Sequence, residues 1–426
     1  MRRGRKTLIS WGMGGDSTAA ITRLCADPTA YGLASDMSDV IVVVAMTGDE
    51  WEITMDLAER HILPVMRRHR IRLVQVARGG ALEEDGVRVL SDTRFPRRLW
   101  RRGDRALSDE LAETGTVPQY AAGERRCSLK YKGWVIDTWA RAELGDRSYR
   151  HLIGYEASTR ERGRAARYDS FAHEREETWY PLIEWGWERS RVLQYLEEVY
   201  GVANWPKSYC VQCPFPAVAA SREEHLRRCR DYPQEAVKAL RLEYTARALN
   251  PRSTLYSRGT TLIGLLRDDG NTAALDVFGR LLDQCTWSVY AVRRVYMPGR
   301  DCRHRHGKGC TRVTCLSPLV KGQAWRSVRC EFTGSRAEAL SWLRSEAAEM
   351  GSPVVTAGGI SRASFHELGE EYPAAEGFLV AAPAGVDNKE RPGFWERWEQ
   401  VTSGLWKPLA ARKAGRMQKK KLTTRS

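Results

Sequence analysis

Residues 7–20 read Thr-Leu-Ile-Ser-Trp-Gly-Met-Gly-Gly-Asp-Ser-Thr-Ala-Ala. A β-prone run feeds a turn with three glycines, and a helical pattern opens at Asp16-Ser17-Thr18. Glycine lets the backbone take positive φ and come close to a ligand. The N–H groups of a helix start, aided by the dipole, favour an anion. Ser10, Ser17 and Thr18 add hydroxyls, and Asp16 either caps the helix or meets a magnesium ion. A strand–turn–helix with an Asp/Ser cap and no ligand has the same local pattern. The spacing is neither G-x-x-x-x-G-K-[ST] nor G-x-G-x-x-G.

The runs that follow limit the fold further. Val40 to Ala45 is continuously apolar, as in a strand buried on both faces of a parallel sheet. Glu52 to Arg70 reads as a helix with a kink at Pro64, and Ile71 to Val76 as the next strand. Strand, helix, strand, helix, strand is the order of a doubly wound sheet. Lys130–Glu143 and Glu188–Tyr200 read as helices, and Tyr149–Ile153 and Thr178–Ile183 as strands. Ser221–Leu249 is helical with a break at Asp231-Tyr-Pro233. Composition changes near Asn250-Pro251. Beyond it, strands are expected around Ser288–Tyr296 and a helix around Ser335–Met350. The expected fold is a doubly wound, mostly parallel α/β sheet over residues 1–250. An additional α+β region follows at 251–405, and a polar tail at 406–426 is too charged to bury a core.

Several segments agree with one another in order. Ser10-x-Gly12-x-Gly14-x-Asp16-Ser17-Thr18 resembles the pyrophosphate-binding loop of the adenine nucleotide α-hydrolase superfamily, in its phosphoadenosine phosphosulfate (PAPS) reductase-like branch. Thr47-Gly48-Asp49-Glu50 is similar to the acidic turn of that branch. Arg125-Arg126-Cys127-Ser128-x-Lys130-x-Lys132 is similar to its Cys-Cys-x-x-Arg-Lys segment, with serine for one cysteine. Gly154-x-Glu156-x-Ser158-x-Arg160, Pro181-Leu182-Ile183-Glu184-Trp185 and Tyr209-Cys210-x-x-Cys213-Pro214-Phe215 complete the resemblance, which covers about residues 6–245. It implies a Rossmann-like sheet with ATP (or PAPS or its adenosine phosphosulfate analogue) and Mg2+ at the C-terminal strand edge. Ser10, Gly12, Gly14, Gly15, Asp16, Ser17, Thr18, Asp49 and Glu156 would hold the nucleotide. Asp16, Lys130 and Arg160 would act in catalysis, with Arg125 and Lys132 as further phosphate clamps.

Cys210-x-x-Cys213 has a spacing at which two thiolates bind one metal centre. The resemblance implies that Cys127 meets this pair beside the nucleotide. A [4Fe–4S] cluster takes four cysteines, and Cys229 is the candidate fourth; zinc and structural thiols are the alternatives. A second set, Cys302, His304, His306, Cys310 and Cys315, carries zinc-type ligands at spacings of no standard finger.

The net charge is +15. Arg2, Arg3, Arg5 and Lys6 supply four positive charges and residues 407–426 eight with no acid, which leaves +3 for residues 7–406. Internal basic clusters lie at Arg94–Arg105, around Trp100, and at Arg293–Arg312. Basic ends and clusters suit a nucleic-acid partner, or only solvation. Fifteen tryptophans are expected mainly in the core. No apolar run reaches the roughly 18–20 residues of a membrane span. Met1-Arg-Arg-Gly-Arg-Lys lacks the apolar core of a signal peptide, so the chain is expected in the cytoplasm, where ten cysteines suit buried thiols or metal ligands better than disulfides. Three functions compete. The first is an ATP-dependent enzyme that adenylates a substrate with pyrophosphate release, for sulfur transfer to a nucleic acid, with a sulfur donor or partner protein. The second is a sulfonucleotide reductase, against which the thiol-free C-terminal tail counts. The third is a non-catalytic nucleic-acid-binding protein.

Overall fold

The computed structural model describes residues 5–118, 125–216, 221–302 and 310–406. His304, His306 and the tail from residue 407 onward lie outside the described residues. The chain divides into two compact units. One comprises Met1–Ala112, Thr116–Leu242 and Thr254–Leu275; the other comprises Glu113–Gly115, Glu243–Ser253 and Asp276–Ser426.

The first unit is built on strands β1 (Lys6–Ser10), β2 (Val40–Ala45), β3 (Arg72–Arg78), β4 (Val87–Thr93), β5 (Tyr149–Ile153) and β6 (Glu176–Trp179). Their order across the sheet is β4-β3-β2-β1-β5-β6. All neighbours pair in parallel except β3 with β4. Every residue of β2 is buried, because helices cover both faces of the sheet. On one face Ile9, Val42 and Val44 pack with helix α1 (Gly15–Ala26) and the helix Arg189–Tyr200 through Leu24, Val192 and Leu196. On the other, Leu8, Ile41 and Val43 pack with the helix Trp134–Leu144 through Val135, Trp139 and Leu144. This is the expected α/β architecture, mostly parallel and Rossmann-like.

The elements differ from expectation where backbone chemistry intervenes. The helix from Glu52 is not simply kinked at Pro64: a π turn at Ala58–Ile62 precedes the segment Leu63–Arg68, where Pro64 lies in the first turn. Proline has no N–H to give to the helix, and a local change of hydrogen-bond period just before it accommodates the loss. The strand read at Thr178–Ile183 ends at Trp179, because Pro181 starts a helical turn, Pro181–Glu184. The long helix read from Ser221 is two, Arg222–Asp231 and Pro233–Leu249, parted at Tyr232.

The second unit holds an antiparallel sheet of order β12-β8-β7-β11-β10-β9. Its long central pair is β7 (Trp287–Arg300) and β8 (Leu316–Gly334). The others are β9 (Val354–Ala357), β10 (Ile360–His366), β11 (Ala374–Pro383) and β12 (Lys389–Glu390). The helix Arg336–Glu349 opens with a capping box in which Ser335 and Glu338 serve each other's backbone N–H. No helix among the described residues is long and apolar enough to cross a membrane.

Candidate functional site

The strand order reverses at β1: β2 and β3 lie to one side, β5 and β6 to the other. In open α/β sheets ligands bind at such a switch point, outside the carboxyl ends of the strands. The loop Trp11–Gly14 leaves β1 there. Gly14 is the N-cap of α1, and no side chain caps that helix. Gly154, at the end of β5, lies against the same helix start: a Cβ there would come within 2.7 Å of the backbone N and Cα of Ser17. Glycine is therefore required for β5 to close on the loop.

The loop is held from within and from above. The Gly12 N–H donates to Ser17 Oγ at 3.3 Å, and the Trp11 indole N–H donates to Thr18 Oγ1 at 3.0 Å. Thr18 is fully buried, so its hydroxyl serves the loop itself. A strap at Trp205–Ser208 lies over the turn. The Trp205 indole donates to the Met13 carbonyl at 3.2 Å, and the Gly15 N–H makes a long 3.4 Å bond to the Pro206 carbonyl. Cβ atoms on Gly12 or Gly14 would meet Ser208 at 3.0 and 2.9 Å. Arg189 ties these parts together: its guanidinium donates to Asp16 Oδ1 at 2.9 Å and to the Trp205 carbonyl. Its backbone N–H donates to Glu156 Oε2 at 2.9 Å, while Glu156 Oε1 accepts from Ser158. Glu156 thus works as the cap of the helix Arg189–Tyr200.

Asp49 is also a tie. Its buried carboxylate accepts from the Ser108 N–H at 2.7 Å and the Gln212 amide at 2.8 Å, and its carbonyl accepts from the Val211 N–H. Burial raises its pKa despite those donors. Glu50 closes the Thr47 turn, accepting from the Thr47 N–H and hydroxyl. The turn is thereby bound to the cysteine segment, with Thr47 Oγ1 3.1 Å from Cys210 Sγ.

Cys127 and Cys210 pack against the same group of Leu107, Leu111, Tyr131 and Leu242. Cys213 is close enough to Cys127 for the thiolates to repel. Burial pushes all three thiols up, Cys213 to about 11, against the opposing charge of Lys132. Cys229 is fully buried in the helix Arg222–Asp231; burial, then Asp269, push its thiol to about 12. Its charged neighbours are Asp269, Arg228 and Arg230. Lys130 is paired with Glu110 at 2.7 Å. Arg160 is exposed and belongs to a cationic group with Arg125 and Arg164. Burial, then the charges of Arg164 and Arg160, hold the Arg125 guanidinium below its usual range. Arg125 stacks on Phe215 at 4.2 Å and Arg164 on Tyr155 at 4.6 Å.

No protein-family model, no curated protein and no solved structure matches this chain. The site therefore rests on its own geometry. Two features of it have no signal in the sequence. Arg189 is one. The other lies under the loop: Ser10 Oγ is 2.7 Å from His151 Nε2, and His151 Nδ1 is 2.5 Å from Glu176 Oε1, which also accepts from the Tyr168 hydroxyl at 2.8 Å. Burial works to raise the Glu176 carboxyl, but the bonds from His151 and Tyr168 outweigh it and hold it low.

In the second unit, Cys302, Cys310 and Cys315 are the three-thiol group, among the described residues, whose sulfur atoms all lie within 4.8 Å of one another. Such a set can hold a metal ion.

Proposed function

We propose that the first unit binds a nucleotide at the β1–β5 switch point and adenylates a substrate by attack at the α-phosphate of ATP, with pyrophosphate as leaving group. The observation that carries this reading is the meeting of an uncapped helix start with Gly154 at the point where the strand order reverses. The backbone of Gly12–Ser17 would face the pyrophosphate oxygens. The long Gly15 bond to Pro206 is the one a phosphate oxygen would replace, with a shift of the strap. Among the described residues, the Arg125, Arg160 and Arg164 group supplies positive charge that Glu161, paired with Arg164, does not balance. An anionic substrate or leaving group would relieve that repulsion, and nucleic-acid phosphate is the acceptor class it suits.

Mg2+ is the usual partner of such phosphates, and Asp16 is the carboxylate at the loop that would meet it. Asp16 is half-buried and held by Arg189, so it is oriented toward the helix start. The roles left to the chain are positioning and charge stabilisation. Sulfur transfer through a [4Fe–4S] cluster is carried less far by the geometry. Cys127, Cys210 and Cys213 share one neighbourhood, whereas Cys229 has other charged neighbours. No step is assigned to a cluster.

The test is pyrophosphate release from ATP and Mg2+, with tRNA, DNA and small-molecule acceptors supplied in turn. Release that Asp16→Asn abolishes supports the reading. Sulfite release from PAPS would replace it with sulfonucleotide reduction. Neither product, together with no nucleotide binding by calorimetry, would leave a binding protein.

A further inference from the structure

The β7–β8 ribbon outruns its sheet. β11 pairs with β7 only as far as Ala374 with Tyr296, whereas β7 and β8 remain paired to Arg300 with Leu316. The overhang has an irregular register, because Pro298 faces Lys321 while Gly299 faces Ser317. Two-stranded ribbons are marginal in water without an apolar face to pack. This one has little to offer: β8 buries no side chain from Leu316 to Ala324. Among the described residues from Arg300 to Ala324, the buried side chains are Cys302 and Cys315. The third cysteine, Cys310, completes the group with all three sulfur atoms within 4.8 Å of one another. Short elements without a core are commonly stapled by a metal.

We propose that Cys302, Cys310 and Cys315 bind a zinc ion that staples the end of the β7–β8 ribbon. Zinc–thiolate bonds of about 2.3 Å in a tetrahedron place sulfur atoms about 3.8 Å apart, so the thiols need only a small inward adjustment. The loop backbone already braces the site. The Asp301 N–H donates to the Cys315 carbonyl and the Cys315 N–H to the Arg312 carbonyl, both at 3.3 Å. The Arg300 guanidinium donates to the carbonyls of Thr311 and Arg312 at 3.3 and 3.4 Å. Three thiolates around one Zn2+ leave a net negative charge, which the Arg300 guanidinium, held on the carbonyls of Thr311 and Arg312, lies close enough to offset. Binding forms three Zn–S bonds, leaves the fourth tetrahedral position to a water, and sends three thiol protons to solvent. The metal is structural: it replaces the apolar core that the ribbon end lacks, and it is independent of the nucleotide site.

The full chain, purified under reducing conditions without chelator, is expected to carry about one zinc per chain at this site. Cys310→Ser and Cys302→Ser should lose it, while Cys213→Ala keeps it. The Co2+-loaded protein should show thiolate-to-cobalt charge-transfer bands that Cys310→Ser lacks. Cys310→His guards against misfolding as the cause, since it keeps a ligand and should retain metal with a changed cobalt spectrum. The proposal is overturned by metal-free folded protein that does not take up Co2+, or by zinc content unchanged in Cys310→Ser. Iron with acid-labile sulfide in place of zinc, or a disulfide within the three cysteines of the reduced preparation, would overturn it too.

Discussion

The Ser10–His151–Glu176 chain of hydrogen bonds sets what Ser10 can offer a phosphate. An ionised carboxylate only accepts, so the neutral His151 ring must donate from Nδ1 to Glu176 and accept at Nε2 from the Ser10 hydroxyl. Ser10 then faces the loop with lone pairs, which a phosphate does not want. The other titratable groups near the ring are Tyr149 on β5, Tyr168 on the helix Thr159–Asp169 and Asp137 on the helix Trp134–Leu144, whose carboxyl burial raises. His151→Leu removes the acceptor at Nε2 and frees the Ser10 hydroxyl proton for the anion. Pyrophosphate should then bind about tenfold tighter, the worth of one charge-assisted hydrogen bond. Titration calorimetry checks this; equal affinities would sink the relay. A second residue-scale expectation concerns His225, fully buried between Tyr256, whose hydroxyl is 2.7 Å from Nε2, and Tyr209. Burial, then the nearby Arg228 charge, depresses its pKa from 6.5 to about 4. The folded value lies below the unfolded one, so this contribution to stability is complete above about pH 6.5 and is lost as pH falls toward 4. Denaturant unfolding of wild type should lose about 2 kcal/mol between pH 7 and pH 5 relative to His225→Gln.

At the scale of elements, the decisive contact is β5 against the start of α1. Gly154→Ala would put a methyl group 2.7 Å from the Ser17 backbone, and neither backbone can yield without moving the phosphate loop. Overpacking of this kind costs about 1–3 kcal/mol. Nucleotide affinity should fall more than tenfold in Gly154→Ala, whereas a control such as Gly163→Ala, where a Cβ meets nothing, should leave it unchanged. Equal binding by both variants would remove the loop from the site. Sequence carries the elements unevenly, for reasons visible here. β1, β2 and β3 are legible because burial forces apolar runs, six buried residues of six in β2. β4 was not foreseen: it is a half-exposed antiparallel edge whose residues, Val-Arg-Val-Leu-Ser-Asp-Thr, resemble a loop. The glycine turn is legible because its chemistry is local. Its partners are not, since Arg189 reaches Asp16 across 173 residues and His151 reaches Ser10 across 141. Cys127 and Cys210 pack against one apolar group, but nothing in their spacing distinguishes them from Cys229, which has other neighbours.

At the scale of the whole chain, composition suggests one boundary near residue 250, but the path between units is less simple. The chain lends Glu113–Gly115 to the second unit, enters it again at Glu243–Ser253, returns to the first for Thr254–Leu275, and leaves once more. The end of the helix Pro233–Leu249 is built into the second unit. Tyr244 packs on Phe278 and Trp287 and donates to the Gly359 carbonyl at 2.6 Å. The guanidinium groups of Arg362 and Arg294 satisfy the carbonyls of Arg247, Ala248 and Leu249 that the helix leaves open. The returning segment gives the first unit Tyr256 against His225 and Asp269 against Arg230, with Leu262 and Leu266 buried. A chain that ends at residue 250 loses all of these. Each fully buried large side chain is worth about 1.5–3 kcal/mol, and a domain has only about 5–15 kcal/mol in reserve. Residues 1–250 are therefore expected to aggregate or to unfold without a cooperative transition. Residues 1–275 keep every part of the first unit and should stay folded, with an added solubilising change needed only where the helix end is uncovered at Tyr244 and Leu249. Size-exclusion chromatography and thermal unfolding of the two fragments decide it. If residues 1–250 are monomeric and melt as cooperatively as residues 1–275, then Thr254–Leu275 is a dispensable appendage rather than part of the first unit.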